Sequence, residues 1–312
     1  MTRQIYRWDL DKTYLETDID SVRGLLRSAV EPASAKRAVP GAPPLLKALG
    51  AERDGSTPRI VFLSGSPTQM RRRLEEKLHL DGVRFDEFIL KNNLRNLRKG
   101  RFRAIRGQFG YKLPRLLEGR IGHAPEVKES LFGDDAEVDA LVYSIYADAI
   151  SGRLSALELS RILEAEGAYP DHVVEALAAL RQIQKTEAVD RIFIHLARGR
   201  SPEIFAPLGS RVIPVRTWFQ AALVLYGSGE VGEAGLRGVL EHSAFSELSA
   251  RQQIEDILKR GAVPPEAVEK LLTLQEPSPW GRLLSGVSPG RYREPGPHDR
   301  LDYLELLRRF SR

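Results

Sequence analysis

Asp9 and Asp11 stand two apart where a short apolar run ends, in IYRWDLDKT. In an extended chain, residues two apart point to the same side, so the two carboxylates face one another's field. Like charges held together repel, unless a cation or a shared proton relieves them. Two further apolar runs end on polar groups of the same kind. Ser64 closes the run in RIVFLSGSP, and Asp134 and Asp135 close the run in ESLFGDDAEVD. In open α/β sheets, ligands lie beyond the carboxyl ends of the strands. Acids and a serine at three equivalent strand ends therefore predict one shared site. Alone, each has an ordinary explanation: an acidic loop, a turn, or a helix start whose acids suit the dipole. Their joint occurrence carries the reading. His79, His123, His172, His195, His242 and His298 show no metal-ligand spacing and are read as structural or surface residues.

The elements that must position these groups alternate. QIYRWDL, RIVFLSGSP and FDEFIL read as strands, and so does the apolar run before Gly-Asp-Asp. Residues 18–30, PPLLKALGAE and TQMRRRLEEKLHL read as helices, the last with Thr68 as N-cap. YKLPRLLEG reads as a helix shortened by Pro114, and another helix begins near Glu137. Strand–helix alternation predicts a parallel α/β sheet. Beyond residue 150 the pattern is mostly helical, with strand-like segments at 191–197 and at the start of 210–227. Amphipathic helices fill 230–275, and LDYLELLRRF has the apolar spacing of a final docking helix. The expected division is 1–227 as one α/β domain and 228–312 as a helical C-terminal extension.

Composition narrows the setting. The chain has 312 residues, 42% apolar and 29% charged, with no cysteine, so disulfides and thiolate metal sites are excluded. No secretory h-region and no run of about 20 apolar residues is present, which predicts a cytoplasmic protein without a transmembrane segment. The net charge of +5 is unevenly placed: residues 91–112 hold eight Lys or Arg and no acid, with Phe102, Phe109 and Tyr111 interleaved. Such a stretch is a candidate surface for phosphates, on an anionic lipid membrane or on nucleic acid. It also suits a solvated basic loop that delivers one functional lysine.

DLDKT, FLSGSP, Lys112 and LFGDDAEVD, in that order, resemble the four motifs of the haloacid dehalogenase (HAD) superfamily. Within it, the pattern looks most like the catalytic domain of the actin-patch-associated phosphatidate phosphatases, and KLPRLLEG is similar too. The resemblance covers about residues 1–225. It implies a HAD-like Rossmannoid parallel sheet flanked by helices, with a small cap in 14–59. It also implies a magnesium-dependent phosphomonoester hydrolase working through an aspartyl-phosphate, with phosphatidate or another lipid phosphate as substrate. By resemblance Asp9 is the nucleophile and Asp11 the acid/base, a second Asp that dehalogenases lack. Lys112 is the charge-neutralising lysine, with Lys91 and Lys99 as alternatives. Ser64 and Gly65 belong to the phosphate-binding set, and Thr13 orients the first loop. The magnesium ligands are Asp9, the Asp11 carbonyl and Asp134, with Asp135 or Asp139 in support. The chain departs from the family at Lys12, where an acid is usual; this makes the rim more positive. Two other readings remain: a nucleic-acid end phosphatase using the basic stretch, and a scaffold whose C-terminal helices bind a protein partner.

Overall fold

A computed structural model describes residues 3–17, 31–91, 109–136, 138–274, 278–296 and 300–310. Among these residues, six strands form one parallel sheet: β1 (Gln4–Trp8), β2 (Arg59–Pro67), β3 (Glu87–Lys91), β4 (Lys128–Asp134), β5 (Val189–His195) and β6 (Val212–Val215). Their spatial order is β3-β2-β1-β4-β5-β6, and every neighbouring pair is parallel. The order reverses at β1 and β4, so their carboxyl ends form the switch point where open α/β sheets hold ligands. Trp8 stands beside Phe132 in register, and the Asp9 N–H extends the ladder by donating to Phe132 O at 2.8 Å.

Both sheet faces are covered, which is why burial along the central strands β1 and β4 is continuous rather than alternating. On one face Trp8, Phe132 and Phe193 stack, with Trp8 and Phe132 centroids 4.2 Å apart and Phe132 and Phe193 5.0 Å apart. Helices α1 (Ala42–Leu49) and α2 (Arg71–Leu80) pack there. On the other face Leu63, Leu131, Ile192 and Ile194 meet α3 (Phe109–Glu118) and α4 (Asp139–Ser151). α5 (Ala156–Ala165) and α6 (Pro170–Leu180) lie on that side as well. α3 runs through Pro114 instead of stopping, because Leu113, Leu116 and Leu117 are all buried and tertiary packing outweighs local propensity. α2 is preceded by a 3-10 turn over Thr68–Met70, so Thr68 is not its N-cap; its N-cap position is Met70, without a side-chain bond.

The C-terminal half is built into the same cores. α7 (Trp218–Gly227), α8 (Glu233–His242), α9 (Glu247–Lys259), α10 (Pro265–Leu272) and α11 (Trp280–Leu284) bury Leu236, Val239, Ile254, Ile257 and Trp280 in the cluster that holds Trp8 and Phe132. α8 and α1 pack directly, and Gly41 sits where a Cβ would come 3.1–3.4 Å from Ser243, Val239 and Trp218. The last helix, α12 (Tyr303–Phe310), joins the opposite face, and the Tyr303 hydroxyl donates to Asp148 Oδ2 at 2.7 Å. Of the expected cap, α1 proves to be part of the flanking layer. The helix expected over 18–30 and most of the basic stretch, 92–108 with Lys99 and Phe102, lie outside the described residues. Among the described residues no helix is long and apolar enough to cross a membrane.

Candidate active site

Four charged side chains converge at the carboxyl ends of β1 and β4. Asp9 follows the last residue of β1, Asp134 ends β4, Asp139 opens α4 and Lys112 lies on α3; all are buried. The Lys112 ammonium bridges two carboxylates, with Nζ 2.8 Å from Asp9 Oδ1 and 2.5 Å from Asp139 Oδ1. Asp9, Asp134 and Asp139 each offer a carboxylate oxygen, and these lie within 4.8 Å of one another. Among the described residues, three carboxylates meet one ammonium in a buried place. A hard divalent cation with oxygen ligands fits that donor set and that charge.

Asp135 does not belong to this cluster. Its Oδ1 and Oδ2 accept the backbone N–H groups of Arg198 and Arg200 at 2.7 and 3.1 Å, which ties the end of β4 to the loop after β5. Asp139 stands where Asp135 was expected to be a ligand. Its approach depends on Gly133, because a Cβ at that position would lie 2.5–2.8 Å from Asp139 side-chain atoms.

Asp11 points to the second motif. Its Oδ2 accepts from Ser64 Oγ at 3.2 Å and from Ser66 Oγ at 2.8 Å, while the Ser66 N–H donates to Ser64 Oγ at 2.9 Å. Gly65 links the two serines. A hydroxyl can donate to a carboxylate or accept from a carboxylic acid, so this contact serves Asp11 in either protonation state. Lys36, buried and close enough to feel the charge of Asp11, has its ammonium pKa lowered by burial, against the pull of Glu31 and Asp11.

The loop between these acids is held by residues far along the chain. Lys12 adopts a left-handed φ of 61°, a conformation that costs a non-glycine residue roughly 1–3 kcal/mol. His195 Nδ1 lies 2.9 Å from the Lys12 carbonyl oxygen, and Trp218 Nε1 donates to the Thr13 carbonyl at 2.9 Å. The two rings stack with centroids 5.3 Å apart. Burial lowers the pKa of His195, which favours a neutral ring beneath the loop. Thr13 is buried and enters this network through its carbonyl; its Oγ1 has no hydrogen-bond partner among the described residues. Of the alternative lysines, Lys91 is buried with its ammonium 5.4 Å above the Tyr111 ring. Sequence reasoning missed Ser66, Lys36, His195 and Trp218. Only Ser66 carried a local signal, the repeated serine of SGSP; the others act through contacts that no spacing reveals.

Residues 8–159 match the family described as the phosphatidate phosphatase APP1 catalytic domain. The match spans just under half of the chain. The matched segment contains Asp9, Asp11, Ser64, Lys112, Asp134 and Asp139, and it ends before β5. His195 and Trp218, which hold its first loop from below, lie outside it. No curated protein and no solved structure matches the chain.

Proposed function

We propose that the protein is a magnesium-dependent phosphomonoester hydrolase of the HAD type, with phosphatidate or another lipid phosphate as substrate. The observation that carries this reading is the buried cluster in which Lys112 bridges Asp9 and Asp139 beside Asp134. Asp9 is the nucleophile: its carboxylate attacks phosphorus, the bond to the leaving alcohol breaks, and an aspartyl-phosphate remains. Asp11 gives its proton to the departing alkoxide. It then takes a proton from the water that hydrolyses the aspartyl-phosphate. Ser64 and Ser66 orient Asp11 for both steps, and Lys112 balances the charge on Asp9 and the phosphoryl oxygens. Asp9, Asp134 and Asp139, with the Asp11 carbonyl, would hold the magnesium ion. Bound there, it would supply the positive charge that lets a carboxylate approach an anionic phosphate.

The test measures phosphate release from phosphatidate in vesicles and from a 5′-phosphorylated oligonucleotide, with magnesium or with chelator. Metal-dependent release from phosphatidate, abolished in Asp9→Asn, is expected. Release from the oligonucleotide alone would move the assignment to nucleic-acid ends. Release that Asp9→Asn leaves unchanged, or no release from either substrate, would sink the proposal.

A further inference from the structure

A cleft of about 630 Å³ opens beside the carboxylate cluster, on the β5–β6 side of the same sheet edge. Its walls include Lys12 from the loop after β1, His195 and Arg198 after β5, Arg216 and Thr217 after β6, and Phe245. Lys12, Arg198 and Arg216 bring three cationic side chains, with Glu16 as the one carboxylate among the described lining residues. Arg216 is exposed, and its Nε is 3.7 Å from Asp256, a loose surface pair that costs little to rearrange. Thr217 is the N-cap of α7 without a side-chain capping bond, so the positive end of that helix also faces this region. Arginine forks match phosphate oxygens in geometry as well as charge. Lys12 joins the two sites: it lines the cleft, while the carboxylate of its neighbour Asp11 is held by Ser64 and Ser66.

We propose that this cleft receives a second phosphate of the substrate, so that the preferred substrates are phosphomonoesters bearing another phosphomonoester or a phosphodiester. The inference rests on the phosphatase reading of the adjoining cluster. It concerns what lies beyond the phosphate that reacts, and the two readings can fail separately.

The test compares two matched pairs on full-length Asp9→Asn protein with magnesium, by equilibrium binding. The soluble pair is propane-1,3-diol monophosphate and bisphosphate. The vesicle pair is phosphatidate and phosphatidylglycerophosphate in phosphatidylcholine. A second charge-assisted contact predicts about tenfold or more tighter binding of the doubly charged member. Arg198→Gln combined with Arg216→Gln should remove most of that ratio, which is measured within each protein and so is insensitive to the amount of folded material. A preference in the vesicle pair alone assigns the cleft to a headgroup phosphodiester, and one in the soluble pair to a second phosphomonoester. Equal binding within both pairs, or a ratio the arginine variants leave intact, overturns the proposal. KM values of the wild-type chain, measured on the same pairs, separate the two readings: a retained binding preference without turnover of any compound sinks the phosphatase reading and leaves the cleft standing.

Discussion

Replacing Lys112 by Met tests the electrostatic logic of the cluster. The substitution keeps most of the aliphatic volume and removes the ammonium that lies 2.8 Å from Asp9 and 2.5 Å from Asp139. Three buried carboxylates then face each other without the Lys112 ammonium between them. Breaking a buried pair by removing one partner costs about 3–5 kcal/mol, because the remaining charge stays desolvated. Unfolding entropy near 60 °C is about 2.1 cal/mol/K per residue, so a chain of this length loses roughly 5–8 °C in Tm. The assay is thermal unfolding in chelator and then in magnesium. The variant should melt roughly 5–8 °C lower in chelator, and magnesium should raise the Tm of each protein that binds it, since an ion at about 100 times its Kd stabilises by about 2.7 kcal/mol. Turnover should fall by about 10²–10³-fold, the usual loss for one preorganised group that stabilises transition-state charge. A variant that melts within about a degree of wild type in chelator would refute the compensation argument.

Other perturbations probe the frame around the site. Glu129 is buried and accepts from Arg7 Nε at 2.8 Å, Arg120 Nη1 at 3.1 Å and the Tyr146 hydroxyl at 2.8 Å, so Glu129→Gln should cost about 3–5 kcal/mol in denaturant unfolding. Burial works to raise the pKa of Glu129, but Arg7 and Arg120 hold it below the usual carboxylate value. Its stabilisation is therefore complete above about pH 4.5 and is lost as pH falls through the lower folded value; the Gln variant should show a flatter stability–pH curve there. Gly133→Ala should push Asp139 out of the cluster and raise the magnesium concentration needed for half-maximal turnover by about tenfold or more, read from a metal titration. A fragment ending at residue 227 should fail to fold by circular dichroism. It lacks Leu236, Val239, Ile254, Ile257 and Trp280, at about 1.5–3 kcal/mol each, a sum comparable to the whole stability of a domain.

That last expectation bears on how the chain divides. The amphipathic spacing of 230–275 was legible, and helices stand there at Glu233–His242, Glu247–Lys259 and Pro265–Leu272. Which surface their apolar faces cover was not legible, because a helical stripe states that something is buried and not against what. They cover α1 and α7, so the segment read as an extension completes the core beside β1. Similarly, Gly-Asp-Asp-Ala-Glu-Val-Asp offered four acids, and only the path of the chain into α4 turns Asp139 toward Lys112 and Asp135 toward Arg198 and Arg200.

The sequence by itself determined the strands, their alternation with helices, and the strand ends that carry Asp9 and Asp134, with Ser64 inside the last half of β2. Those follow from apolar runs, turn residues and capping chemistry, which act over a few neighbouring positions. Tertiary structure alone decided that Lys112 meets Asp9 across 103 positions, and that His195 and Trp218 hold the Lys12–Thr13 turn from the far half of the chain. It also decided that Arg198 and Arg216 share a cleft with Lys12. The physical reason is the parallel sheet. It gathers the carboxyl ends of strands distant in sequence onto one edge, and the resulting charge balance depends on distances that no local pattern encodes.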